Sequence, residues 1–271
     1  MSLTIKSDGL FVNSLISFIN KLFEAEIVFC VDSVSFPFST EGRFLKKDSL
    51  NFFIAGAIAT IKQLSYNSPI LISFIPTALV LIIYFTWKRK WTYFGFKREL
   101  TRTNWIPYLP LLVILIVLCL QGFSSQPLKT IVFYVGFAIL VGFVEESIYR
   151  GIMIKILLPL GILPAILTSS ILFSVTHMLN LLSGQSMGQT GLQLVYSLLI
   201  GIVLAQLFIR TGNIYPLILF HGLHNLIQFL GSGGSSAILD TTVIIILVVT
   251  AISLALSMRK KLETKFELIS E

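Results

Sequence analysis

The sequence has little charge, and what it has is unevenly placed. Of its 271 residues, 12% are charged and 55% are hydrophobic, whereas a typical soluble domain carries roughly 25% charged residues. The segment from Trp105 to Met258 contains seven charged residues: Lys129, Glu145, Glu146, Arg150, Lys155, Arg210 and Asp240. So few charges cannot keep a soluble surface of that size hydrated. The composition excludes a soluble globular enzyme, a disordered chain and a nucleic-acid-binding protein, and it indicates a multi-span membrane protein.

Cysteine is also scarce. Cys30 and Cys119 are the two cysteines, and they lie in unrelated apolar surroundings without the spacing of a disulfide framework or a thiolate metal site. The N-terminal apolar stretch is broken by Asn20, Lys21 and Glu24. Because it lacks a strong hydrophobic region and a small-residue cleavage site, we expect no cleavable signal peptide.

Apolar segments that approach the length of a membrane span recur along the chain. A helix that crosses a bilayer needs about 20 mostly apolar residues. The segments that meet this requirement are 69–87, 105–122, 128–146, 161–178, 191–209, 213–230 and 238–258. Residues 51–61 form a shorter run that could be an eighth span, and residues 10–29 could be an amphipathic helix on the membrane surface. The expected fold is an all-α, polytopic transmembrane bundle of seven to eight spans.

The distribution of Lys and Arg predicts the orientation of these spans. The loop 88–104 is rich in basic residues, so we expect it on the cytoplasmic side. Counting spans from this loop puts Lys155, Arg210 and the C-terminus on the same side. The polar loops on the opposite side contain no Lys or Arg, and they are 123–127, 179–190 and 231–237.

Ionisable side chains inside the predicted spans are exceptional, because each costs at least a few kcal/mol in a bilayer. Together with their polar neighbours they form three short groups on three spans. The groups are Glu145-Glu146-x-x-x-Arg150, Phe173-x-x-x-His177 and His221-x-x-x-Asn225. Glu146 and Arg150 are near enough on one helix face to pair, which leaves Glu145 to face the bundle. The other two groups share this four-residue spacing, so three spans can direct polar groups into one cavity.

These side chains make a plausible hydrolytic set. A carboxylate can take a proton from water, imidazoles can orient that water, and an amide N–H can donate to a developing oxyanion. The same groups could instead hold Zn²⁺, which would lower the pKa of a bound water. The ligands would then be Glu145, His177, His221 and Asn225.

Each group also has an ordinary structural interpretation. The Glu145–Arg150 group could be a charged helix end at the cytoplasmic surface, and Phe173 and His177 could be packing residues. His224 is about 60° from His221 around a helix, and we expect it to pack nearby without a role of its own. The sequence from Gly184 to Gly188 matches G-x-S-x-G, but that motif needs a strand-to-helix turn, and here it lies between predicted helices. The helical zinc-protease motif HExxH is absent.

Taken in order, the three groups resemble the motifs of the CPBP family, also called the Abi family. This family comprises CAAX prenyl endopeptidases and bacteriocin-processing or self-immunity proteins, with the patterns EExxxR, FxxxH and HxxxN (or HxxxD) on successive membrane helices. The resemblance covers about residues 128–230 and includes the stretch Gly201–Asn225. It does not extend to residues 1–68.

The resemblance implies an intramembrane endopeptidase. Glu145 would be the base that activates water and His177 would help to position it. His221 and Asn225 would stabilise the oxyanion of the tetrahedral intermediate. Glu146 is often counted as catalytic as well. The family was first described as metalloproteases, and the resemblance leaves a metal-dependent and a metal-free mechanism open.

The resemblance also implies the supporting residues, the partners and the domain organisation. Arg150 and Phe173 would hold the motifs in shape. The partners would be the lipid bilayer and a membrane-bound or lipidated substrate, either a prenylated C-terminus or a bacterial peptide or membrane protein. We expect an interfacial region, two spans with a basic loop, a CPBP-like catalytic core and a basic cytoplasmic tail. Their bounds are 1–68, 69–127, 128–258 and 259–271.

Two other functions compete with the protease. One is a non-catalytic membrane scaffold or bacteriocin self-immunity protein of the same fold, and the other is a transporter whose polar groups line a proton path. The complete Glu/His/His/Asn set favours the enzyme, and a transporter would be expected to show broken helices or similar halves. The modest length and the plain charge bias favour a bacterial plasma membrane over the endoplasmic reticulum.

The predicted span boundaries raise one difficulty for the enzyme. With spans 128–146 and 161–178, Glu145 lies near the inner end of one span and His177 near the outer end of the next. At about 1.5 Å per residue, the two side chains would be too far apart to share a water. Either the helix 128–150 continues inward past the membrane surface, or the helix 161–178 begins nearer Pro164 and runs to about Leu182.

Overall fold

The computed structural model of the protein describes residues 68–97, 104–178, 186–232 and 236–270. The predicted surface helix at residues 10–29 and the short apolar run at 51–61 lie outside these residues. Within them every regular element is a helix, apart from one isolated bridge between Phe123 and Gly231. The predicted all-α class is confirmed.

The helices are connected by short turns. In chain order they are α1 (Ser68–Trp87), a 3₁₀ turn (Ile106–Tyr108), α2 (Leu109–Cys119), α3 (Leu128–Glu146), a π-helical turn (Ser147–Met153), α4 (Ile154–Leu157), a second 3₁₀ turn (Leu158–Leu160), α5 (Ile162–Thr176), α6 (Met187–Thr211), α7 (Tyr215–Leu230) and α8 (Ala237–Ser270).

The chain divides into two compact units. The first comprises Met1–Thr77 and Leu179–Ser186, and the second comprises Ala78–Met178 and Met187–Glu271. Of the first unit, the described residues are the start of α1 and Ser186. All the contacts discussed below lie within the second unit.

Three helices of the described residues are long and apolar enough to cross a membrane. They are Leu128–Leu160, Met187–Thr211 and Ala237–Arg259, and shorter apolar helices occupy Phe74–Trp87, Ile106–Cys119 and Ile162–Thr176. Large apolar side chains on these helices face outward, as Leu163 and Leu256 do, which suits contact with lipid rather than with water. The total of seven to eight spans and the cytoplasmic C-terminus remain predictions.

The helical segment that begins at Leu128 is longer than the predicted span 128–146. It continues through the π-helical turn and α4 to Leu160 before Gly161, with φ of +122°, reverses the chain into α5. The helical continuation that the first alternative requires is therefore observed, whereas α5 begins at Ile162, before Pro164, and ends at Thr176. Glu145 and His177 lie sixteen residues on either side of Gly161, so the two arms of this helical hairpin bring them to a similar level.

Helices α3 and α7 approach each other closely at two glycines. A Cβ atom added to Gly142 would lie 3.0 Å from the carbonyl oxygen of Ile218 and 3.2 Å from the amide nitrogen of Gly222. Small residues permit such close packing of membrane helices. The close approach brings His221, which precedes Gly222, within reach of the end of α3.

The segment between α1 and α2 fixes the beginning of α7. The Ile214 N–H donates a hydrogen bond to the carbonyl oxygen of Gly95 at 3.0 Å. Around Gly95, the rings of Phe94 and Phe96 pack against the buried ring of Phe85. This aromatic cluster holds α7 at the depth where its polar residues meet α3.

Candidate active site

The two glutamates lie where α3 changes into the π-helical turn. Glu145 and Glu146 are the last two residues of α3, and Ser147 begins the wider turn. Single π-helical turns within α-helices are frequent at functional sites. The carbonyl oxygen of Tyr149, within this turn, accepts a hydrogen bond from Ser169 Oγ of α5 at 2.8 Å. That bond ties the turn to the neighbouring helix.

Glu146 and Arg150 form the ion pair that their spacing predicts. Arg150 Nη1 donates to Glu146 Oε1 at 2.9 Å, and both side chains are fully buried. The guanidinium also lies 4.4 Å from the ring centroid of Phe173, which is a cation–π contact. Among the described residues, Glu146 Oε2 and the Nε and Nη2 atoms of Arg150 have no hydrogen-bond partner.

His221 bridges the two glutamates. Its Nε2 lies 3.1 Å from Glu145 Oε2, and its Nδ1 lies 2.8 Å from Glu146 Oε1. An ionised carboxylate only accepts hydrogen bonds, so these two contacts require either an imidazolium or a proton on one carboxyl group. With an imidazolium, the two glutamates, Arg150 and His221 have no net charge, which makes their common burial less costly. We call these four side chains the charged cluster.

The two glutamates of the charged cluster have different access. The Glu146 side chain is 0% exposed, whereas that of Glu145 is 16% exposed. Glu145 uses Oε2 on His221, and its Oε1 forms no hydrogen bond among the described residues. Glu145 is therefore the carboxylate with an oxygen left for a water molecule.

Phe173 lies between the two histidines predicted to take part in the site. Its ring centroid is 5.1 Å from that of His177 and 5.8 Å from that of His221, both at steep angles. His177 follows the last residue of α5, and its Nδ1–H donates to the carbonyl oxygen of Phe173 at 3.0 Å. That bond fixes the proton of the neutral ring on Nδ1 and leaves Nε2 as an acceptor.

Asn225 lies one helical turn beyond His221 and contacts His224, which the sequence analysis expected to pack nearby without a role of its own. His224 Nδ1 is 3.4 Å from Asn225 Oδ1, and His224 Nε2 is 2.8 Å from the hydroxyl of Tyr196 on α6. The sequence carries no signal for Tyr196, because an isolated tyrosine in an apolar helix has no partner at helical spacing.

The side chains expected as Zn²⁺ ligands make other contacts in the structure. Both ring nitrogens of His221 contact carboxylate oxygens. In the part of the chain that the structure describes, no group of three His, Cys, Asp or Glu side chains could hold a metal. No cofactor is established for the expected ligand set of Glu145, His177, His221 and Asn225, and the mechanism proposed for this protein uses none.

Ser186 of the G-x-S-x-G match is exposed and directly precedes α6. Gly184, the first residue of that match, lies outside the described residues. No strand precedes Ser186 among the residues described here. The strand-to-helix turn on which a serine hydrolase depends is therefore absent from the described residues.

Fold and site together define a helical membrane protein that buries a set of ionisable side chains between α3, α5 and α7. Residues 127–227 match the family model described as Type II CAAX prenyl endopeptidase Rce1-like. Over these residues the chain is similar to the CAAX proteases of the CPBP family, and the matched segment contains all three motifs. The chain gives no significant match to a curated protein or to a solved structure.

The matched family is one of proteases. This similarity and the three long apolar helices together indicate an integral membrane protein.

Proposed function

We propose that this protein is an intramembrane endopeptidase in which Glu145 activates a water molecule to hydrolyse a peptide bond. The difference between the two glutamates carries this proposal. Glu146 is fully buried between Arg150 and His221, whereas Glu145 is partly exposed with Oε1 available. The Glu146 carboxylate is thus enclosed by its partners, whereas the Glu145 carboxylate has the access to water that a general base needs.

In the first step, Glu145 Oε1 accepts a proton from water as the water oxygen attacks the carbonyl carbon of the substrate. His177 orients this water by accepting its second hydrogen at Nε2, the ring nitrogen that the bond to Phe173 leaves unprotonated. The hydrogen bond from His221 to Oε2 holds the Glu145 carboxylate in place. Positioning of this kind and proton transfer each lower the barrier.

In the second step, the tetrahedral intermediate breaks down. The amide N–H of Asn225 donates to the oxyanion, and Glu145 returns its proton to the leaving nitrogen as the C–N bond breaks. The products are a carboxylic acid and an amine. The family resemblance gives His221 a share in the oxyanion site, but both of its nitrogens are bonded to carboxylates. We therefore give His221 the role of holding the glutamates and leave the oxyanion to Asn225.

The substrate that this mechanism requires is a membrane-associated peptide or protein. The family match extends the proposal to a prenylated CAAX-type C-terminus or, in a bacterial plasma membrane, to a peptide or membrane protein. Both carry an apolar part that partitions into the bilayer, which raises their local concentration at a site buried between membrane helices.

The test compares purified wild-type protein in lipid with Glu145→Gln and with Ser186→Ala. Each is incubated with a farnesylated CAAX peptide and a mixture of transmembrane peptides, and mass spectrometry identifies the products. We expect Glu145→Gln to lower the cleavage rate by about 10²–10⁴-fold, because the amide cannot accept the proton. Ser186→Ala, at an exposed position before α6, should cleave like the wild type.

Cleavage at the wild-type rate by Glu145→Gln would refute the role of Glu145. Loss of cleavage in Ser186→Ala would favour a serine mechanism instead. No products from wild-type protein with either substrate class would favour the non-catalytic scaffold or immunity protein.

A further inference from the structure

His224 belongs to none of the three motifs, yet it is held by side chains on both sides. Its ring stacks on that of Tyr196, with centroids 5.5 Å apart and planes 28° apart. The Tyr196 hydroxyl lies 2.8 Å from Nε2, and Asn225 Oδ1 lies 3.4 Å from Nδ1. Tyr196 comes from α6, whereas His224 and Asn225 are neighbours on α7.

The two contacts select one tautomer of His224. The Asn225 Oδ1 atom can only accept, so the His224 Nδ1 must carry the proton and donate it. In a neutral ring Nε2 then has a lone pair, and the Tyr196 O–H donates to it. The three side chains thus form a directed hydrogen-bonded chain from Tyr196 through His224 to Asn225.

This hydrogen-bonded chain determines the orientation of the Asn225 side-chain amide. Side chains of consecutive helical residues do not ordinarily face each other, so the contact with Asn225 depends on the ring orientation that Tyr196 imposes on His224. The oxygen and nitrogen of a planar amide lie on opposite edges. With Oδ1 held by His224, both N–H bonds of Asn225 point away from it, and Nδ2 forms no hydrogen bond among the described residues.

We propose that Tyr196 and His224 are positioning residues that keep the N–H donors of Asn225 directed at the reacting carbonyl oxygen. The proposal rests on the oxyanion role given to Asn225 above. A donor that is already oriented stabilises the developing charge without reorganising during the reaction. Without the two positioning residues, the Asn225 amide can turn over and present Oδ1, which repels an oxyanion.

A matched pair of substitutions separates the two ends of the His224 ring. The amide nitrogen of Asn can take the place of Nδ1, so His224→Asn keeps the hydrogen bond to Asn225. In His224→Gln the amide reaches the place of Nε2, which keeps the contact with Tyr196 but loses the bond to Asn225. Tyr196→Phe removes only the hydroxyl.

We expect His224→Gln and Tyr196→Phe to lower kcat by about tenfold with KM unchanged, a fraction of the loss caused by removing an oxyanion donor. His224→Asn loses the Tyr196 contact but keeps a donor to Asn225 Oδ1, so we expect its kcat to fall less than that of His224→Gln. If His224 only filled space, the kcat values of His224→Asn and His224→Gln would not differ. Equal kcat values for His224→Asn and His224→Gln would therefore overturn the proposal.

A spectroscopic measurement tests the hydrogen-bonded chain of Tyr196, His224 and Asn225 without relying on activity. The protein contains three histidines, so ¹⁵N-histidine labelling gives three imidazole signal sets, and the set lost in His224→Asn belongs to His224. We expect a neutral ring protonated at Nδ1. A ring protonated at Nε2 would overturn the proposal whatever the activity. The expected tautomer in a protein that cleaves nothing would refute the protease function and leave the hydrogen-bonded chain standing.

Discussion

Two histidines three residues apart on α7 have opposite surroundings. His221 is buried, and both of its nitrogens contact carboxylates of α3. His224 is half-buried between the phenol of Tyr196 and the amide of Asn225. The first is part of a set of compensating charges and the second is part of a neutral hydrogen-bonded chain. The surroundings of each histidine therefore follow from the helix that it faces.

The charged cluster should be more sensitive to substitution than the hydrogen-bonded chain of His224. Arg150→Met removes one of the two basic side chains that contact the fully buried Glu146 carboxylate. Removing one partner of a buried ion pair typically costs about 3–5 kcal/mol, so we expect a large loss of stability in thermal unfolding measured in detergent. The double variant Arg150→Met/Glu146→Gln removes both charges and should recover much of this loss. A double variant no more stable than Arg150→Met would show that the pair does not act as a unit.

Alanine substitutions at His221 and His224 compare the charged cluster directly with the hydrogen-bonded chain. His221→Ala removes the bridge between Glu145 and Glu146 and should lower kcat by about 10²-fold or more, as loss of a catalytic-site group commonly does. His224→Ala should cost about tenfold, because it affects only the direction of one donor. Cleavage rates, corrected for the amount of folded protein, provide the comparison. Equal losses of kcat in the two variants would mean that the different roles proposed for His221 and His224 are wrong.

The smallest effect is expected at the contact that holds the π-helical turn. Ser169→Ala removes the hydroxyl that donates to the carbonyl oxygen of Tyr149. We expect a loss of about 1 kcal/mol in stability, typical of one hydrogen bond, with a small decrease in kcat. Unfolding and cleavage of this variant can be measured beside Ser186→Ala. A loss of cleavage as large as that of His221→Ala would show that the π-helical turn matters as much for catalysis as the charged cluster does.

The sequence was sufficient for the features that depend on helical spacing. Apolar runs predicted the helices, and the four-residue spacing predicted the ion pair of Glu146 with Arg150, because both are local. The helical segment that begins at Leu128 is longer than the predicted span, because hydropathy treats charged residues as exposed and ends a span at Glu146. In the folded protein Arg150 and His221 compensate the two carboxylates, and the helical segment continues to Leu160.

Contacts between helices could not be predicted in the same way. The bridge from His221 to Glu146 joins residues 75 apart in the chain, and it depends on the close approach of α3 and α7 at Gly142. The contact of Tyr196 with His224 joins residues 28 apart. Neither pair has a spacing that a single helix would reveal.

The π-helical turn has a consequence for how this chain tolerates changes in length. A stretch of i→i+5 bonds holds one residue more than an α-helix would place in the same rise. Deleting one residue between Ser147 and Met153 would allow the segment to close as an ordinary α-helix, with the parts on either side still in phase. The Tyr149 carbonyl would then return to the helix and Ser169 would lose its acceptor. A shortened chain could thus keep its membrane helices and lose the geometry of its glutamates.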